Sequence, residues 1–206
     1  MSIEIFDCEQ NSEEWIRARM GLPTASMFAT IMAKGKSGGD SLTRKTYLYK
    51  LAGELITGEP MENYTNAYME RGHTMEAEAR DYYALLHDVE PGRVGFIVNG
   101  RKGCSPDSLI GDTGMLEIKT KAPHLLIEAL IKNEFPPEHK AQCQGALWVA
   151  EREWLDLVVY FTKMPAFIRR VYRDEAYIAN LSEAVDAFDA ELHELVEQVR
   201  AYQRAA

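Results

Sequence analysis

The 206-residue sequence predicts a mixed α/β (α+β) fold: a largely helical N-terminal part, a mixed central β-sheet flanked by helices, and a long C-terminal helix. Three observations carry that prediction. Before Pro91-Gly92, apolar and aromatic residues recur every three or four positions, the spacing of a helix face. After it the pattern changes to short apolar runs broken by Gly and Asp, which read as strands and turns. From Glu175 to about Tyr202, Ile178, Leu181, Val185, Phe188, Leu192, Leu195 and Val199 form one stripe, so this segment is an amphipathic helix packed on the domain or on another subunit.

Taken in order, Asn11 or Ser12 offers a side-chain oxygen to cap a short helix through Met20, and Thr24 does the same for a helix over Ala25 to Ala33. Lys34-Gly-Lys-Ser-Gly-Gly-Asp40 reads as a flexible basic loop. Helices follow over Leu42 to Ile56 and Ala67 to His87, the second with Tyr68, Met75, Ala79, Tyr82 and Tyr83 at helical spacing. Val94 to Val98, Ser108 to Gly111 and Met115 to Thr120 read as short strands forming a three-strand meander. Pro123 suits the first turn of a helix to about Lys132, where its missing N–H costs nothing, and Glu138 to Ala150 is a further helix. Trp154 to Thr162 is a strongly apolar strand, with Ala166 to Tyr172 as its partner. With 46% hydrophobic residues and no internal repeat, residues 1–206 read as a single domain.

Composition narrows the function. Cys8, Cys104 and Cys143 lie far apart with no C-x-x-C pair, which argues against a disulfide framework, a zinc site or an iron–sulfur cluster and fits a reducing cytosol. The histidines show no ligand spacing. Without a basic leader or an apolar run of spanning length, the expectation is a soluble, cytoplasmic protein with no membrane partner. A net charge of −9 runs against binding to nucleic acid, whose phosphates draw Lys and Arg. Yet the charge is uneven: from Asp174 onward eight carboxylates face two arginines, whereas the first fifty residues carry seven cations against six carboxylates. Such a distribution permits a basic surface on an acidic protein.

The chemistry concentrates in Ser105-Pro106-Asp107 and Glu117-Ile118-Lys119. On a strand, Glu117 and Lys119 share one face and Ile118 points to the other. Two carboxylates, with the Ile118 carbonyl, suit a hard divalent cation such as Mg²⁺, while Lys119 is placed to orient a water or steady developing charge. A solvated strand face is the plain alternative. Glu76, on the helix before the strands, can lie over the sheet edge as a further ligand or water holder, or be an ordinary surface Glu. Gln142 is placed to hydrogen-bond a water or a phosphate oxygen, or to sit on a polar helix face. Near the N-terminus, Arg19 with Thr24-Ala25-Ser26 combines a guanidinium, hydroxyls and a helix start, which favour an anion; a helix cap with a surface Arg is the alternative.

Together, Trp15-x-x-x-Arg19, Thr24-Ala25-Ser26, Gly72-x-x-x-Glu76, Cys104-Ser105-Pro106-Asp107-Ser108, Leu116-Glu117-Ile118-Lys119 and Gln142-x-Gln144 resemble the phage lambda exonuclease family, the YqaJ-like viral recombinases of the PD-(D/E)xK nuclease superfamily. The resemblance runs from about Glu9 through Tyr160, and the ordered combination is far more specific than any one motif. It implies a restriction-endonuclease-like core and a Mg²⁺-dependent exonuclease, with two ions that Mn²⁺ can replace. It further implies digestion of one strand of linear duplex DNA from its 5′ end, leaving a 3′ overhang for recombination by single-strand annealing. A homotrimeric ring on the DNA end, a single-strand annealing recombinase as partner, and a phage or prophage origin in a bacterial cytoplasm are implied as well. By position, Asp107, Glu117 and the Ile118 carbonyl would bind metal, Glu76 and Gln142 would complete the site, and Lys119 would assist the water. Arg19, Ser26 and Ser105 would match the pocket for the 5′ phosphate. The sequence departs from the family in having Ser108 where Pro-Asp-Gly is usual, and in the composition of the Lys34 to Ser41 loop. Two rivals stand beside the exonuclease: a restriction-type or structure-specific endonuclease, and a DNA-binding module without catalysis.

Overall fold

The computed structural model describes residues 3–35, 38–61 and 67–205, with backbone alone for 67–73 and 203–205. Lys36 and Ser37 of the basic loop, and the Tyr68 side chain, therefore lie outside the described residues. The helical first part holds one short strand, β1 (Ile3–Phe6), then α1 (Glu13–Arg19), α2 (Phe28–Met32), α3 (Leu42–Thr57) and α4 (Ala67–His87). Ser12 caps α1 by accepting from the Trp15 N–H at 3.2 Å. Ser41 caps α3 in the same way, and Gly58, in the left-handed region at φ 72°, ends it. Thr24 makes no side-chain cap: the expected helix over Ala25 to Ala33 is a 3₁₀ turn, Ala25–Met27, running into the short α2. The Thr24 hydroxyl instead lies 3.2 Å from that of Ser26.

The expected meander is not formed. β2 (Phe96–Asn99) pairs antiparallel with β1 and with β3 (Lys102–Cys104) in a sheet of order β1-β2-β3. β4 (Ser108–Ile110) and β5 (Gly114–Thr120) instead join β6 (Trp154–Tyr160) and β7 (Phe167–Tyr172) in a second, mixed sheet of order β4-β5-β6-β7. A three-residue strand, β3, takes the edge of β2 that β4 would have needed. β5 and β6 run parallel, so the chain must cross over between them. It does so through α5 (Pro123–Lys132), a 3₁₀ turn and α6 (Lys140–Ala150).

Strand alternation divides β5 between two cores. Leu116 and Ile118 pack with Ala79 and Tyr83 of α4 and with Val158. On the other face Met115 joins Leu155 and Leu157 in the main core, which also holds Phe28, Tyr47, Leu51, Leu147 and Phe188. The long C-terminal helix α7 (Glu175–Ala205) lies against α2, α3 and α6 of its own domain. It buries Ile178, Leu181, Val185, Phe188, Leu192 and Val196, each side chain contributing about 1.5–3 kcal/mol. The buried stripe ends at Val196, and Val199 is 45% exposed. Arg44 locks α3 to this helix, pairing with Asp40 at 2.9 Å and Glu191 at 2.7 Å.

Candidate active site

β5 carries Glu117 and Lys119 out of the sheet on the face opposite Leu116 and Ile118, toward α6. Lys119 Nζ donates to Glu117 Oε1 at 2.7 Å, and Gln142 Nε2 of α6 donates to the same oxygen at 2.5 Å. Glu117 is 3% exposed. Asp107 stands in the link between β3 and β4, where its backbone N–H donates to the Leu116 carbonyl at 3.1 Å. Its carboxylate accepts from the Ile118 N–H at 2.5 Å. One short stretch of β5 thus holds Asp107 through its backbone and presents Glu117 and Lys119 through its side chains.

The N-terminal residues reach the same place by a different route. The Arg19 guanidinium stacks on the Trp15 ring, 4.2 Å from its centroid and one helical turn away. Trp15 Nε1 donates to Ser105 Oγ at 2.8 Å and to the Gly95 carbonyl at 3.1 Å, which ties α1 to the strand that leads to Asp107. Gln10 Nε2 adds bonds to the Val94 and Pro106 carbonyls. The Pro23 carbonyl accepts from the Gly103 N–H at 3.0 Å, and Thr24 bridges to Gly103. A Cβ at Gly103 would lie 2.1 Å from the Phe96 ring, so that ring packs over β3 only because this position is glycine.

Arg19, Ser26, Ser105, Asp107, Glu117, Lys119 and Gln142 line one cavity of about 220 Å³. Glu76 lines an adjoining cleft that shares Asp107, and its Oε1 accepts from Arg80 Nη2 at 2.5 Å. Among the described residues, no three His, Cys, Asp or Glu side chains converge on a point that would hold a metal ion. Each carboxylate has a protein partner: Arg80 holds Glu76, Lys119 and Gln142 hold Glu117, and the Ile118 amide holds Asp107.

Electrostatics nevertheless fit a cation. Burial, then Glu117 and Glu76, hold the Asp107 carboxyl well above the usual carboxylate range, since three carboxylates share one poorly solvated region. Burial pulls the Lys119 ammonium down, but Glu117 and Asp107 more than reverse this, so it stays charged at neutral pH. Two oxygen-donor carboxylates with an excess of negative charge are what a hard divalent cation relieves. Burial, followed by Lys121 and Lys119, lowers His139 to about 4, leaving it neutral and no source of charge here.

Sequence reasoning missed Arg80 and Gln10, and took Ser108 only as a departure from Pro-Asp-Gly. Arg80 could have been found from its four-residue spacing to Glu76; nothing local marks Gln10.

A family model described as the YqaJ-like viral recombinase domain matches residues 14–153. The crystal structure of LHK-Exo in complex with dAMP is similar at 34% identity and a TM-score of 0.85, over 95% of this chain and 100% of that one. The crystal structure of an alkaline exonuclease, LHK-Exo, from Laribacter hongkongensis is similar at 33% identity and a TM-score of 0.84, with the same coverage. A phage-related exonuclease from Haemophilus somnus 129PT shares the fold, with a TM-score of 0.67 at 16% identity over 86% of this chain and 96% of that one. No curated protein sequence matches. No helix among the described residues is long and apolar enough to cross a membrane.

Proposed function

The chain belongs to the YqaJ-like viral recombinase family, and from that premise we propose that it is a Mg²⁺-dependent exonuclease digesting one strand of linear duplex DNA from its 5′ end. Membership and the similarity to alkaline exonucleases support a nuclease role. The observation that carries the finer reading is the single cavity lined by Arg19, Ser26, Ser105, Asp107, Glu117, Lys119 and Gln142. It joins an anion-binding set to a carboxylate–lysine set within reach of one nucleotide.

In this reading Asp107, Glu117 and the Ile118 carbonyl would hold the cation, with Glu76 beside them. Mg²⁺, as two ions in the full site and replaceable by Mn²⁺, would supply positive charge for the phosphoryl oxygens and lower the pKa of a water. Arg19 with the Ser26 and Ser105 hydroxyls takes the terminal 5′ phosphate, for which a guanidinium offers paired donors. That pocket fixes which bond must break. Water adds at phosphorus and the P–O3′ bond is cleaved, the 3′ oxygen leaving as a hydroxyl; the shortened strand then carries a new 5′ phosphate for Arg19. Cleavage on the other side would leave a 5′ hydroxyl and starve the pocket. Lys119, charged and 2.7 Å from Glu117, steadies the negative charge that builds on phosphorus oxygens, and Gln142 keeps Glu117 oriented.

The product is a 3′ overhang, the substrate of a single-strand annealing recombinase in the bacterial cytoplasm. A homotrimeric ring around the duplex accounts for hold on DNA by a chain of net charge −9, since enclosure replaces tight grip. An end-labelled linear duplex and a covalently closed circle, each incubated with Mg²⁺, test the reading. Labelled 5′ mononucleotides from the linear duplex and an intact circle are expected; cutting of the circle selects the endonuclease, and no digestion selects the DNA-binding module.

A further inference from the structure

Arg80 is a buried cation that the reaction above leaves without a task. It is 8% exposed, and each of its bonds reaches the candidate metal centre or the peptide beside it. Nη2 donates to Glu76 Oε1 at 2.5 Å and to the Asp107 carbonyl at 3.3 Å, while Nε donates to Ser108 Oγ at 2.9 Å. Ser108 is fully buried, and its hydroxyl donates in turn to the Asp107 carbonyl at 2.5 Å. One planar guanidinium therefore spans from α4 to both sides of the Asp107–Ser108 peptide.

The donors of a guanidinium are fixed in one plane. Once Ser108 and the Asp107 carbonyl set the angle of that plane, the direction in which Nη2 presents itself to Glu76 is also set. Glu76 comes from a helix and Asp107 from a loop between strands, and no backbone pairing relates the two. Arg80 supplies that relation. We infer that Arg80 and Ser108 are positioning residues, a brace that sets Glu76 against Asp107 so that both carboxylates address the same divalent cation. This rests on the reading of Asp107 and Glu76 as metal ligands. Ser108 stands where the resembled family has glycine, and glycine has no hydroxyl to offer Arg80 Nε. The brace in this form thus belongs to this chain's own sequence.

A brace of this kind acts on metal affinity, whereas an ion pair that only fastens α4 to the sheet acts on stability alone. The test measures Mn²⁺ binding by calorimetry, the Mg²⁺ needed for half-maximal digestion, and the melting temperature for the wild type, Arg80→Gln, Ser108→Ala, their double variant and Asp107→Asn. Loss of an outer partner to a metal ligand weakens metal binding by about 10–100-fold. Arg80→Gln should therefore weaken Mn²⁺ binding by about that factor and raise the half-maximal Mg²⁺ in parallel, with the KM for DNA within about twofold of wild type. Ser108→Ala should show a smaller shift in the same direction, and the double variant should be no worse than Arg80→Gln alone, because both changes remove one unit. Unchanged Mn²⁺ affinity in Ser108→Ala and Arg80→Gln, with only the melting temperature lowered, overturns the brace. Should Arg80→Gln not fold, Ser108→Ala decides by itself. Mn²⁺ binding indifferent to Asp107→Asn would instead overturn the metal reading, and the brace with it.

Discussion

Replacing Arg170 with methionine should destabilise the protein far more than loss of a surface ion pair would. Asp156, on β6 directly beside Leu116 of β5, is 2% exposed. Its carboxylate accepts from Tyr83 Oη at 2.6 Å and from Arg170 Nε and Nη2 at 2.9 and 2.8 Å. Burial, then Asp156, pushes the Tyr83 phenol up, so it remains a donor throughout the neutral range. Methionine keeps contact with the Trp154 ring, over which the guanidinium sits at 3.7 Å, but strips the carboxylate of its only cation in this network. Removing one partner of a buried pair costs about 3–5 kcal/mol. The Arg170 side chain is 41% exposed, so water reaches that side and the lower end, about 3 kcal/mol, applies. For a chain of this size each kcal/mol moves the melting temperature by about 2–4 °C, giving a fall of roughly 6–12 °C. Denaturant titration with unchanged slope is the assay. The triple variant Tyr83→Phe, Asp156→Leu, Arg170→Met, which removes every member together, should recover to within about 1 kcal/mol of wild type. A loss below about 1 kcal/mol in Arg170→Met, or a triple variant no better than the single, would refute the reasoning.

Asp107→Ala and Lys119→Ala should each lower Mg²⁺-dependent digestion by about 10²–10³-fold, and retention of wild-type rates by both would remove the site assignment. Asp107→Asn should be inactive yet melt higher than wild type without divalent metal. A carboxyl raised by burial, Glu117 and Glu76 binds its proton more tightly folded than unfolded, so metal-free stability falls as pH rises from the ordinary carboxylate range through the raised folded value. The Asn variant should lose that part of the pH dependence, and identical melting profiles would contradict it. Wild type should prefer a 5′-phosphorylated duplex over a 5′-hydroxyl duplex and Arg19→Ala should not; indifference in both counts against the phosphate pocket. Gly103→Ala, whose Cβ would meet Phe96 at 2.1 Å, should cost about 1–3 kcal/mol, and a neutral change in denaturant titration would show that the ring can yield.

Much of the candidate site was legible because its parts are local. Alternation on a single strand is enough to pair Glu117 with Lys119 and send Ile118 the other way. A four-residue step on a helix is enough to bring Arg19 over Trp15. What escaped was non-local. β1, Ile3-Glu4-Ile5-Phe6, is too short for its apolar residues to mark a strand by themselves, and its partner β2 lies far along the chain. β3 is shorter still, and without it the eye joins β2 to β4. Arg80 reads as an ordinary helix-surface arginine, since its bonds to Ser108 and to the Asp107 carbonyl join residues 28 and 27 positions apart. The two possibilities for the C-terminal stripe could not be separated by periodicity, which reports an apolar face but not what covers it.

The contact between Trp15 and Arg19 also makes the candidate end-binding pocket an optical one. An indole whose N–H is committed to Ser105 and whose face carries Arg19 will change its emission when a phosphate draws the guanidinium away. The other two tryptophans, Trp148 under Lys102 and Trp154 under Arg170, have cations of their own and lie outside that cavity. With Trp148 and Trp154 replaced by phenylalanine, the protein would report the arrival of each new DNA end in its own fluorescence, with no label on either partner.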